Sequence, residues 1–190
     1  MQQFYIEDKN FEKTNFTKEN LPAREFENCR FSACDFSETD LSEISFSECV
    51  FSACNLSSAK IAGTSFKEVE FTDCKMLGLF FDGCNQFLLA MRFDNCVLNF
   101  SSFAEMKLKN TSFTGCTLRD VDFSGAILSG SVFDNCDLRK AVFRSSNLEK
   151  TDFRTSFNFS IDPEINHIYK AKFSLPGLSG LLDKYDIVIE

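Results

Sequence analysis

Nine cysteines and one histidine are the side chains of this 190-residue chain that could hold a metal or form disulfides. Their spacing argues against both. Cys29 and Cys34, like Cys49 and Cys54, are separated by four residues rather than the two of a zinc knuckle, and no histidine accompanies them. An odd count in a chain without a visible secretory leader favours small, buried, free thiols. His167 lies in an irregular C-terminal stretch with no nucleophile placed beside it by any motif, and reads as a surface or structural residue. There is no GxGxxG, GxxxxGK[ST], GxSxG or HExxH, so neither an enzymatic reaction nor a cofactor is expected. The sequons at Asn15 and Asn110 fall where a repeat supplies Asn and Ser, and carry no weight.

That repeat is what must position the cysteines. The chain has 24 Phe and no Trp. Steps of five from Phe11 pass through Phe16, Leu21, Phe26, Phe31 and Phe36 and continue to Phe81; after a slip of two residues a second frame runs from Leu88 through Phe93 and Leu98 to Phe153. These apolar centres account for 17 of the 24 Phe. Two residues before each centre stands a smaller one, such as Cys34, Cys54, Cys116, Thr111, Ala126 or Ser146, and eight of the nine Cys occupy that place. Cys84 keeps the spacing of the first frame. The other three positions of each five carry most of the charge and Ser, so two positions point inward and three outward.

An apolar period of five cannot form one face of an α-helix, because successive centres would lie about 140° apart around the axis. In a straight strand the odd spacing would throw alternate centres to opposite faces. The chain must therefore turn at every repeat. Identical residues recur at twenty, as in Cys96, Cys116 and Cys136 or Phe93, Phe113, Phe133 and Phe153, which makes four sides per coil. About seven coils at roughly 4.8 Å each give a rod on the order of 35 Å long.

The pentapeptides CDFSE, TDLSE, CNLSS, VDFSG, CDLRK and TDFRT resemble the consensus of the pentapeptide repeat proteins. The resemblance implies an all-β fold, a right-handed quadrilateral β-helix, over residues 1–155. An interruption falls near 82–87, either a bulge that absorbs two residues or a small contact loop. From Ser156 the apolar period stops, and residues 156–190 are expected to cap the solenoid. Asp162 and Pro163 make a turn, Ser174 caps a short helix, and Ile187, Val188 and Ile189 form a short strand. The segment KAKFSLPGLSGLLDKYDIVI looks like the C-terminal segment of the quinolone-resistance and albicidin-immunity members of that family, and EVEFTDCKMLG is similar to a stretch of the albicidin-immunity member. This implies a twofold homodimer through Leu175, Leu178, Leu181, Leu182, Tyr185, Ile187 and Ile189, with an intramolecular cap as the alternative.

With 44% apolar and 25% charged residues, the composition fits one globular domain, and the net charge of -8 works against binding nucleic acid through its phosphates. No stretch approaches the ~18 apolar residues of a membrane span, and the expected address is the cytoplasm. Residues 1–90 hold 15 acidic and 8 basic side chains, a balance of -7, and residues 91–155 hold 8 and 9, a balance of +1. Asp35, Glu38, Asp40, Glu43 and Glu48 fall at outward positions in a stretch without a basic residue between Arg30 and Lys60. A stiff anionic rod can imitate duplex DNA. The resemblance implies a partner in DNA gyrase or topoisomerase IV, protected from quinolone-like or albicidin-like inhibitors. The alternative is a structural or adaptor solenoid that docks other proteins on its flat faces.

Overall fold

The computed structural model describes residues 4–19 and 21–188. The backbone turns at corners where the residue two places after an inward centre adopts a left-handed conformation, with φ of 50° at Lys13, 58° at Glu38, 60° at Glu43 and 59° at Lys140. That conformation costs an L-residue on the order of 1–2 kcal/mol. The cost is offset because the same residue's N–H reaches the adjoining coil. Glu38 N donates to Ser57 O and Glu43 N to Ala62 O, both at 3.0 Å.

Four corners close a coil, and coils stack in parallel register. On the first side β1 (Tyr5–Glu7), β3 (Glu25–Glu27), β5 (Ser45–Ser47) and β7 (Ser65–Lys67) form a four-stranded sheet. On the second, β2 (Asn10–Glu12), β4 (Arg30–Ser32), β6 (Val50–Ser52), β8 (Val69–Thr72), β9 (Met91–Asp94), β10 (Ser112–Thr114) and β11 (Val132–Asp134) form a seven-stranded one. Single parallel bridges hold the remaining sides, such as Asp35 with Asn55 on the third and Asp40 with Lys60 on the fourth. The chain is thus the four-sided parallel β-solenoid expected from the period of twenty.

Three ladders run along it. Nine phenylalanines of the second side, Phe11 to Phe173, stack with centroids 4.7–5.4 Å apart and planes within 20°. Eight such steps give a column about 40 Å long. Rings of neighbouring sides meet edge-on, as Phe113 does Phe123 at 6.0 Å and 81°, so each ring presents its positive edge to a negative face. The smaller inward residue supplies the second ladder. Cys136 Sγ donates to Phe113 O at 3.3 Å, Thr151 Oγ1 to Leu128 O at 2.8 Å and Ser156 Oγ to Phe133 O at 2.6 Å, each 23 residues back. Thiol and hydroxyl are interchangeable there because either can donate to that carbonyl.

The third ladder is outside. Asp35 Oδ1 accepts from Ser37 N at 3.0 Å, Asp40 Oδ1 from Ser42 N at 3.0 Å and Asp122 Oδ1 from Ser124 N at 2.8 Å. These local turns explain why Asp or Asn so often precedes a centre. At Asp152 the Arg154 side chain, helped by Lys172, holds the carboxyl down at about 2.

Three expectations change. Leu88 is not a core centre: it is 65% exposed, with φ of 56°. Across the slip the stacking step becomes 22, with Lys75 bridged to Val97 and Phe80 to Ser102, so two residues must leave the stack. The excursion that absorbs them lies between Asn85 and Met91, where Gln86, Phe87 and Leu88 are exposed and Gln86 Oε1 accepts from Lys107 N at 3.3 Å.

Coiling also continues beyond residue 155. Asp137 is bridged to Phe157, Asn147 to His167 and Asp152 to Lys172. Asn158 and Pro163 break the apolar pattern without breaking the backbone register, and Asn166 Nδ2 takes over the inner ladder by donating to Phe143 O at 2.8 Å.

Finally, the tail holds a 3-10 helix over Leu175–Leu181, and the Ser174 side chain does not cap it. Ile187 and Val188 lie in no strand, and Ile189 is outside the described residues. Here the chain folds back over the last coil, where Ile161 N donates to Gly180 O at 2.8 Å, and Lys184 binds Asp162 at 2.8 Å and Glu164 at 2.7 Å. These contacts replace the strand pairing that the apolar run suggested.

Thr151→Val keeps the shape at an inner-ladder position and removes its donor from Leu128 O. Urea unfolding should show a loss of about 1 kcal/mol, and Thr151→Ser should recover most of it. Equal stability of all three chains would show that the inner ladder contributes nothing.

Candidate partner-binding surface

The inward residues leave little for chemistry. All nine thiols are buried, six of them (Cys34, Cys54, Cys74, Cys96, Cys116 and Cys136) in one column of the third side. Burial pushes the Cys49 and Cys84 thiols up to about 12, so at neutral pH neither supplies the thiolate that nucleophiles and metal ligands require. Among the described residues no group of three or more His, Cys, Asp and Glu could hold a metal ion. His167 sits exposed on the first side, bridged to Asn147.

The surface is where residues vary without disturbing the ladders. The five expected acidic residues all lie on one coil, but not in one patch. Asp35 is on the third side, Glu38 at the next corner, Asp40 on the fourth side and Glu43 at the corner beyond. Glu48 stands apart, at the corner between the first two sides, where Glu68 follows it one coil on. Glu38, Asp40, Glu43 and Glu48 are exposed, whereas Asp35 is half-buried and accepts also from Asn55 Nδ2 at 3.3 Å. Hydrogen bonds from Ser37 and Ser42 hold the Asp35 and Asp40 carboxyls below the usual carboxylate range. Both are therefore charged at neutral pH while bracing their own turns.

A recess of about 640 Å³ opens beside the excursion, between the first and second sides. Its walls mix Arg30, Arg92, Lys107 and Lys109 with Glu48, Glu68 and Glu70, so it offers no single sign of charge. At the C-terminal end, Leu181 and Leu182 are half-buried, while Leu175, Leu178, Tyr185 and Ile187 are exposed. Tyr185 also donates its hydroxyl to Glu164 Oε1 at 2.8 Å. The segment both covers the last coil and leaves an apolar surface outside it.

Sequence reasoning passed over one feature. Phe80, Phe87 and Phe100 fall off both frames of five, and all three project into solvent. Their mismatch with the period was the available signal.

No curated sequence matches the chain. Full-length QnrB1, a plasmid-mediated fluoroquinolone resistance protein, is 21% identical, with a TM-score of 0.50 over 96% of this chain and 100% of that one. HetL, a pentapeptide repeat protein involved in heterocyst differentiation regulation from the cyanobacterium Nostoc sp. strain PCC 7120, is 17% identical over 92% of this chain and 89% of its own, with a TM-score of 0.33. The model of the pentapeptide repeat region matches residues 24–88 and 81–157. These matches span most of the solenoid and coincide with its coils, and the chain belongs to the pentapeptide repeat family.

Proposed function

We propose that this chain is a DNA-mimicking protein that binds DNA gyrase, or the related topoisomerase IV, in the cytoplasm and protects it from quinolone-like or albicidin-like inhibitors. The observation that carries this reading is a stiff column about 40 Å long whose N-terminal half holds nearly all of the net negative charge, -7 of -8. The likeness of its fold to that of a fluoroquinolone resistance protein supports it. A rod of this kind is steered onto a cationic DNA-binding groove and held there by shape and charge, with no bond made or broken. Net charge falls at roughly one per 5 Å of rod against one per ~1.7 Å of duplex DNA, so binding is weaker than that of DNA and declines with salt.

The test is a gyrase supercoiling assay with and without a quinolone, run with the wild type and with Glu38→Lys/Asp40→Lys/Glu43→Lys. Lysine already stands in left-handed corners at Lys13 and Lys140 and in the place of Asp40 at Lys60, so the triple variant should fold. Protection should appear with the wild type, weaken as salt is raised, and fall at least about tenfold with the variant. An absence of binding and protection by the wild type at low salt would dismiss the reading in favour of an adaptor solenoid.

In this reading two chains join end to end through Leu175, Leu178, Leu181, Leu182, Tyr185, Ile187 and Ile189, roughly doubling the length presented. Light scattering should give twice the mass of 21.6 kDa, and Leu175→Glu/Leu178→Glu should return it to a monomer without lowering the melting temperature. A monomeric wild type at tens of micromolar would leave the segment as a cap alone.

A further inference from the structure

The fourth side carries more than charge. Beyond Glu38, Asp40 and Glu43, its outward positions and corners add Asp82, Glu105, Asp120 and Asp122, and from residue 38 to 122 Lys60 is the one cation among the described residues of that side. In the middle of these carboxylates stand two aromatic rings, Phe80 and Phe100, 66% and 63% exposed. Phe80 is bridged to Ser102, two residues past Phe100, so the rings lie on adjoining coils of one face.

Neither ring is explained by the fold. Asp40, Lys60 and Asp122 fill the place of Phe80 in other coils, and Glu38, Gly78 and Asp120 that of Phe100. Phe100 has φ of 62°, a conformation unfavourable to a bulky side chain, and exposure denies both rings the gain of burial. Phe87 and Leu88, also exposed, follow Asn85 of the first side and lie on the excursion at its far corner, apart from this pair.

We infer that the fourth side is the docking face, and that its occupant is a cationic protein segment presenting an apolar side chain among lysines or arginines. The carboxylates attract the cations, and Phe80 and Phe100 cover the apolar side chain. The inference rests on the proposed function for the cationic nature of the partner, and adds which side meets it and what besides charge holds it.

The test uses the full chain with Phe80→Asn/Phe100→Asn. Asparagine already occupies equivalent places, at Asn55 before a centre and at Asn95 and Asn110 in left-handed corners. The variant should melt at the same temperature as the wild type or higher, yet bind gyrase about tenfold more weakly. Glu70→Lys/Asp94→Lys, which reverses charge on the second side, should change binding less than threefold. If gyrase binds all three chains equally, or if the second-side variant suffers the greater loss, the docking face is refuted while the gyrase reading stands. If gyrase binds none, the gyrase reading fails. A fluorescent amphipathic Leu/Lys peptide then decides the face: weaker binding by the double Asn variant alone upholds it, and equal or absent binding refutes it.

Discussion

Everything in this molecule depends on inter-coil registry, the hydrogen bonding of each turn to the turn one coil away. A left-handed corner is unfavourable by itself, and a three-residue strand is too short to persist alone. Each becomes stable only when the adjoining coil supplies a carbonyl, as Ser57 does for Glu38 and Ala62 for Glu43. Registry then stacks like residues on like. The nine-ring phenylalanine column and the inner donors from Cys29 to Asn166 are consequences of it.

The same arrangement separates stability from function. Two inward positions per repeat settle the packing, while the outward ones are constrained at the left-handed corners and where Asp or Asn braces a turn. The surface can therefore be varied coil by coil at small cost, and this chain has used that freedom unevenly. Acidic residues prevail in the first 90 positions, the charges nearly balance afterwards, and two off-frame aromatic rings occupy the fourth side. What distinguishes one part of such a rod from another is which side and which coil it occupies.

Much of the fold was legible because its rule recurs at five and again at twenty. Once Phe93, Phe113 and Phe133 share a column, the turning chain and its four sides follow. Legibility failed where backbone geometry persisted without its usual side chains. Asn158 and Pro163 concealed a solenoid that runs to Lys172, and Leu88 matched the apolar pattern while being expelled from the stack. The tail was misread because Ile187 and Val188 suggest a strand on composition, whereas its contacts are with Asp162, Glu164 and Phe159, which no local pattern shows. Of the acidic residues, sequence revealed that they point outward but not that Glu48 faces away from the others. That separation follows from counting corners, and it divides the apparent patch between two edges of the rod.

The most direct test of registry compares two deletions. Removing residues 112–131 takes out one whole coil and leaves every later residue on its own side, so the shortened chain should retain its β-sheet circular dichroism and a single cooperative urea transition. Removing residues 112–114 shifts each later centre off its column, and the cooperative transition should be lost. Equal tolerance of both deletions, or loss of folding in the twenty-residue deletion alone, would contradict the claim that inter-coil registry holds the molecule together.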